Sequence, residues 1–287
     1  MKKEKIKKKA KKPDLESLKS KALWLRKKVL DMAVNCGTGH IAPSFSCIEI
    51  VVALYYTSFL KTNPKKPEWK NRDRFILSKG HASLALYPVL ADLGFFPFSY
   101  LDRFGKNNNY LGVHAENEIA GIDVSVGSLG HGLSIGAGLA LAAKTDKKKY
   151  RTVVLAGDGE CHEGSVWEAA LFAASHKLNN LILIIDYNRL SAMGFLKDYQ
   201  DIEPFEKKWE SFGWDSIFVN GHSFESILPG LLEANSPGRK APLAIIAKTI
   251  KGKGVPFMEN KPIWHYRVPK GSKLAAARRE LTKGDNR

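Results

Sequence analysis

Asp158, set between Gly157 and Gly159, and Asn188, thirty positions later, form a pair of oxygen ligands. Each closes an apolar run that reads as a short strand, RTVVLAGDGE and NNLILIIDYN, with one helical stretch between them. A right-handed strand–helix–strand unit brings both strand ends to one edge of a sheet. That is the edge where open α/β sheets bind ligands. Gly157 and Gly159 leave room for a bulky anion against the backbone, and the helix that follows points its positive end toward it. A carboxylate, an amide oxygen and a nearby phosphate suit a hard cation, Mg²⁺ or Ca²⁺ in its place. Gly-Asp-Gly alone is also an ordinary turn, and an Asp at a strand end is often only a helix N-cap. The Asn at the matching end of the next strand turns the pattern toward chemistry.

Four of the eight histidines add to it. His40 lies in TGH, His81 in KGHASLALY, His114 in LGVHAE and His265 in WHYR, each in a loop or at an element end beside small residues. One such His is usually structural; four in loops point to a polar pocket for an anion or a polyol. His162 and His176 read as surface or cap residues, and His222, after Asn220-Gly221, as a turn. Gly130, Gly132 and Gly136 open a helix and imitate a dinucleotide loop. The IDVSV before them makes a poor strand and Asn188 would be left without a role, so close helix packing is the simpler reading of these glycines.

Elements must hold these groups in place. Residues 14–34, 46–60 and 163–178 carry apolar residues near a 3.6 period and read as helices. In the last, Trp167, Ala170, Leu171, Ala174 and Leu178 mark the expected stripe. A short strand precedes Gly80-His81, a helix follows it, and 105–127 is loop-rich. GSLGHGLSIGAGLALAAK is a Gly-rich entry to an Ala-rich helix. Strands at 214–219 and 243–248 flank a helix at 223–235. Strand and helix alternate, which predicts an α/β fold: a doubly wound, mostly parallel sheet with helices on both faces.

The chain has 287 residues, 44% of them apolar, enough to bury a core without disulfides or a structural metal. Its formal charge of +16 is concentrated at the ends, with eight Lys and one Glu in residues 1–12 and seven basic against two acidic residues in 267–287. The body is nearly balanced, so a nucleic-acid-binding stripe is not expected. The domain plan is a basic, frayed tail at 1–13, one domain at 14–268 and a basic C-terminal tail at 269–287. Cys36, Cys47 and Cys161 make no Cys-x-x-Cys and no even framework, which fits a reducing compartment. No apolar leader opens the chain, and Val124–Ala143 is too rich in Gly and Ser for a membrane span, so a cytoplasmic location and no membrane partner are expected.

The block GDGECHEGSVWEAALFAASHKLNNLILIIDYN resembles the thiamin diphosphate signature, Gly-Asp-Gly followed after a helix by Asn. MAVNCGTGHIAPSFSCIEIVVALYY, NPKKPEWKNRDRFILSKGHASLALY, GIDVSVGSLGHGLSIGAGLALAAK and KTIKGKG with WHYRVP are similar to the N-terminal part of transketolase, in the same order, over about residues 20–268. The resemblance implies thiamin diphosphate and Mg²⁺ as cofactors. It assigns Asp158, Asn188 and the main-chain carbonyl of Leu190 to the metal. Gly157, Gly159 and Gly127-Ser128-Leu129 lie along the cofactor, with Ser128 where the family has Pro. His81 and His265 touch the diphosphate and the reacting carbons. His40 and His114 hold sugar hydroxyls and help move protons, and Glu163 matches a Glu near the subunit contact.

Two departures stand out. The family's His-Pro-Gly becomes His40-Ile41-Ala42, and the Gly after the last His becomes Tyr266; both are expected to line the substrate channel. The resemblance covers only the first domain of a full transketolase. It implies transfer of a two-carbon ketol unit between sugar phosphates in central sugar metabolism. The implied partner is a separately encoded C-terminal subunit in an α₂β₂ assembly, without which the chain is inactive. The rival readings are another split thiamin diphosphate enzyme, either a specialised sugar transketolase or a keto-acid dehydrogenase α-like chain, and a non-enzymatic binding module.

Overall fold

The computed structural model describes residues 14–107 and 110–283. The Lys-rich segment 1–13 lies outside the described residues. Five strands form one all-parallel sheet in the order β1-β2-β3-β5-β4. They are β1 (Arg74–Leu77), β2 (Thr152–Gly157), β3 (Leu181–Tyr187), β4 (Asp215–Asn220) and β5 (Leu243–Lys248). The helices are α1 (Leu15–Cys36), α2 (Ile41–Ser46), α3 (Ile48–Tyr56), α4 (Ser83–Leu93), α5 (His131–Thr145), α6 (Gly164–Ser175), α7 (Phe205–Ser211), α8 (Phe224–Glu233) and α9 (Gly271–Lys283).

Strand periodicity decides the layers. Along β2, Val153 and Leu155 pack with α1, α3, α4 and α8, while Val154 and Ala156 pack with α5, α6 and α7. Both faces are therefore apolar and covered, which is why β2 and β3 read as unbroken hydrophobic runs. The doubly wound parallel sheet expected from the alternation is present.

Four local expectations need correcting. The helix read over 46–60 is the shorter α3, Ile48–Tyr56. A separate helix not read from the sequence, α2, precedes it and stops at Ser46, where Cys47 leaves helical geometry (φ −110°, ψ 14°). Ile41 and Ala42 are fully buried, so they belong to the core and not to a channel wall. In α6 the buried face is Val166, Ala169, Ala170 and Ala173, and Leu171 points outward. Small residues let α5 and α6 approach closely, which larger side chains would prevent. Finally, of the basic tail expected at 269–287, the part among the described residues is not frayed. Its residues 271–283 form α9, which lies against α1, burying Ala277 and Leu281 and pairing Arg278 with Asp31 at 3.4 Å.

The glycines at the start of α5 pack as expected. A Cβ on Gly132 would come within 2.1 Å of Ser78 Oγ, and one on Gly136 within 2.6 Å of Val154 Cγ2. IDVSV forms no strand.

Candidate active site

The register pairs Gly157 of β2 with Asp186 of β3, so the two strands leave the sheet side by side. Asp158 is buried just beyond β2. Its Oδ1 accepts from the Gly159 N–H at 2.8 Å and its Oδ2 from the Arg189 N–H. Asn188 is buried just beyond β3. Its Oδ1 accepts from the Leu190 N–H at 3.1 Å and its Nδ2 donates to Ser46 Oγ at 3.1 Å. The two oxygen ligands therefore meet at the carboxyl edge, as the strand–helix–strand argument requires.

They line a cleft of about 560 Å³ together with His40, His81, His114, His265, Gly127, Leu129, Gly157, Gly159, Glu163 and Leu190. Of the residues expected at the site, Ser128 alone is not in this lining; it is exposed. The histidines form one cluster around His40, with ring centroids 5.1 Å to His81, 6.0 Å to His114 and 5.3 Å to His265. His162, read as a surface residue, lines the cleft as well and bonds the Gln200 carbonyl at 2.9 Å. His176 caps α6, and His222 bridges Glu49 and the Ile250 N–H, a structural position. A larger groove of about 780 Å³, at the other end of the strands beside Phe59, Arg151 and Leu232, brings no comparable set together.

Several working parts were not singled out from sequence. Lys79 is buried and pairs with Asp186, and its Nζ also donates to the Pro43 carbonyl at 3.0 Å. Burial disfavours both charges, but each partner outweighs it, so the ammonium is held above and the carboxylate below its ordinary range. Lys251 donates to the carbonyls of Leu190 at 2.8 Å and Ser191 at 3.1 Å. Burial, then the nearby Lys79, lowers its pKa to about 7. Glu160 accepts from Ser78, from the Gly130 N–H at 2.9 Å and from the Gly157 N–H at 3.1 Å, tying the end of β2 to the turn before α5. Asp186 carried a signal in sequence: an acid inside an apolar strand needs a buried partner.

Burial dominates the electrostatics of the cleft. Burial first, then Asp186, pushes Asp158 up to about 7. Burial with neighbouring His and Lys groups lowers His40 to about 4, His265 to about 3 and His81 well below its usual value. The imidazoles are thus neutral near pH 7. Nδ1 of His40 and of His265 are buried without a hydrogen-bond partner among the described residues. Buried polar atoms left this way call for a partner such as water, an ion or a ligand. Among the described residues no group of three or more His, Cys, Asp or Glu is arranged for a metal. Asp158 with the Asn188 amide and the Leu190 carbonyl is instead a sparse oxygen set, of the kind a hard cation completes with phosphate and water. Lys251 occupies one lone pair of the Leu190 carbonyl and leaves the other.

At the mouth, the Tyr266 ring lies 4.5 Å from the His40 ring, and its hydroxyl is 2.5 Å from Thr38 Oγ1. Of the two departures, only Tyr266 lies against the histidine cluster.

Residues 19–284 match the family described as transketolase, thiamine diphosphate binding domain, a span that takes in α9. The chain is 39% identical over 268 residues to one subunit of the apulose-4-phosphate transketolase of Phocaeicola vulgatus, covering 93% of this chain and 95% of that protein. It is 39% identical over 249 residues to 6-deoxy-6-sulfo-D-fructose transketolase subunit SqwG of Clostridium sp., covering 86% and 90%. To transketolase of Homo sapiens it is 40% identical over 258 residues, which are 88% of this chain but 41% of that one. The transketolase structure from Campylobacter jejuni superposes with a TM-score of 0.89 at 31% identity, over 94% of this chain and 43% of that chain. No described helix is long and apolar enough to cross a membrane.

Proposed function

This chain belongs to the transketolase family, as its thiamine diphosphate-binding domain, and on that premise we propose that it is the diphosphate-binding subunit of a two-chain transketolase. The reading is carried by one observation: Asp158 and Asn188 meet at the ends of adjacent strands in a cleft that four histidines share. Relatives that are themselves named as single subunits of a transketolase align over nearly their whole length with this chain, which supports a separate partner chain; the assembly we propose is α₂β₂. A cytoplasmic location accords with three free cysteines.

Asp158, the Asn188 amide oxygen and the Leu190 carbonyl would hold Mg²⁺, and Gly157, Gly159 and the Gly127–Leu129 turn would flank the diphosphate. Lys79 and Lys251 line the same cleft and would add positive charge to it. Thiamine diphosphate, when bound, would supply a nucleophilic thiazolium carbon and an electron sink for breaking a bond beside a carbonyl. The protein's part is orientation and proton handling. His81 and His265 face the reacting carbons. His40 and His114 hold sugar hydroxyls, and a neutral imidazole can take the hydroxyl proton of the donor and return it to the new sugar. Burial keeps His40 in that neutral form near pH 7. Glu163, at the cleft rim, stands where a second chain would meet the site.

A second reading within the same chemistry is a specialised sugar transketolase. Tyr266 over His40 favours it, because it narrows the mouth through which the sugar enters. A two-carbon transfer assay with Mg²⁺ and thiamine diphosphate tests both. Xylulose 5-phosphate, apulose 4-phosphate and 6-deoxy-6-sulfofructose serve as donors, with and without the product of the adjacent reading frame. Activity that needs the second chain is expected. Turnover by this chain alone would overturn the two-chain reading, and the preferred donor decides between the central and specialised roles.

A further inference from the structure

We infer that Ser46 is a positioning residue for the divalent cation: its hydroxyl fixes which way round the Asn188 amide stands, so that oxygen and not nitrogen is offered to the metal. The inference rests on the metal assignment proposed above. It follows from the direction of each hydrogen bond in a buried chain of groups. Asp186 is a carboxylate and can only accept. Lys79 pairs with its Oδ2, while Ser46 Oγ donates to its Oδ1 at 2.6 Å. Thr249 donates to the same Oδ1. A hydroxyl has one proton, so once Ser46 has given it to Asp186 only lone pairs remain toward Asn188. Asn188 must therefore present Nδ2 to Ser46, as it does at 3.1 Å. Ser46 also lies 3.2 Å from Thr249 Oγ1. Donation there would leave the same lone pairs facing Asn188, because Thr249 passes its own proton to Asp186.

The other end of the amide obeys the same logic. The Leu190 N–H can only donate, and it donates to Asn188 Oδ1 at 3.1 Å. Turning the amide over would set oxygen against the Ser46 lone pairs and N–H₂ against the Leu190 N–H, two repulsive contacts in place of two bonds. The second lone pair of Oδ1 is then the one a cation takes. Ser46, Asp186 and Lys79 are essentially inaccessible to solvent, so water does not compete for the Ser46 proton. Outer partners of this kind orient ligands and set affinity.

The test uses the full-length chain, with Mn²⁺ titrated at excess thiamine diphosphate and its uptake read by electron paramagnetic resonance. Ser46→Ala is expected to raise the Mn²⁺ dissociation constant about 10–100-fold. Thr249→Val also takes a hydroxyl from Asp186 but leaves the direction at Asn188 intact. It is expected to lower the melting temperature about as much as Ser46→Ala while keeping Mn²⁺ affinity. Ser46→Thr, which keeps the hydroxyl, is expected to bind like wild type, and it carries the test should the Ala variant fail to fold. Equal loss of affinity in Ser46→Ala and Thr249→Val, unchanged affinity in Ser46→Ala, or lost affinity in a folded Thr variant would each overturn the inference. Wild-type chain that takes up no Mn²⁺ with thiamine diphosphate, either alone or joined by the product of the adjacent reading frame, would instead overturn the metal assignment beneath it.

Discussion

At the scale of single residues, the proposed function divides the cleft into groups that would hold an anion's counter-ion and groups that would touch a sugar. Asp158 falls in the first. Its carboxylate is buried, pushed up to about 7 by burial and then by Asp186, and accepts from two backbone N–H groups among the described residues. Asp158→Ala is expected to weaken cation-dependent thiamine diphosphate binding at least about 100-fold, measured by calorimetry; unchanged affinity would remove it from the metal. His114 belongs to the second. It touches the cluster only through His40, 6.0 Å away, so His114→Ala should keep cofactor affinity and lower kcat/KM for the donor by roughly 10²–10⁴. A fall in cofactor affinity instead would move it to the diphosphate. Gly157-Asp158-Gly159 and Asn188 were legible in sequence because the chain marks them with strand ends. Lys79, Lys251 and Ser46 were less so, because a buried cation or hydroxyl has no local pattern and acquires its role only from what the fold sets opposite it.

At the scale of elements, the site depends on close contacts that small residues make possible. Gly132, in the first turn of α5, sits so near Ser78 that any Cβ must displace the end of β1. Ser78 in turn donates to Glu160, which clasps Gly130 and Gly157. Gly132→Ala is therefore expected to cost about 1–3 kcal/mol by overpacking and to disturb the diphosphate side of the cleft. Urea denaturation with a parallel binding titration checks both, and full stability would show that the contact relaxes freely. Helix α9 carries a different lesson. Its Lys and Arg residues read as a solvated tail, since only Ala277 and Leu281 are buried and Leu274 is partly so. These three positions keep a helical spacing, but basic residues crowd around them and one of the three is a small alanine, so the signal is weak, yet they suffice to dock a helix on α1. Leu281→Ala is expected to cost about 2–3 kcal/mol, read as a shift in denaturation midpoint; no shift would make α9 dispensable. The outward turn of Leu171 in α6 was missed for the converse reason: alanines were buried where larger side chains were expected.

At the scale of the whole molecule, stability is tied to the charge state of the cleft. His40 and His265 titrate near 6.5 when unfolded, but folding lowers them to about 4 and about 3. The causes are burial first, then His114, Lys251 and Lys79 beside His40, and Lys251, His40 and Lys79 beside His265. Between these values the unfolded chain binds more protons than the folded one, so stability rises with pH there. Their neutral forms contribute fully above about pH 6.5, and that contribution is lost as pH falls toward 4. A bound diphosphate reverses the local sign by placing negative charge among the same imidazoles, which makes their protonated forms less costly in the fold. The expected outcome is a melting temperature of the ligand-free chain that drops steeply from about pH 6.5 to about 4, a shallower drop with excess inorganic diphosphate, and a shallower ligand-free drop in His40→Gln. Parallel curves for wild type and variant would mean that the acid sensitivity arises outside the cleft. Parallel curves with and without diphosphate would mean that the anion does not lie among these histidines. The measurement thus reads, from stability alone and without a partner chain, whether these perturbed histidines and the proposed cofactor share one place.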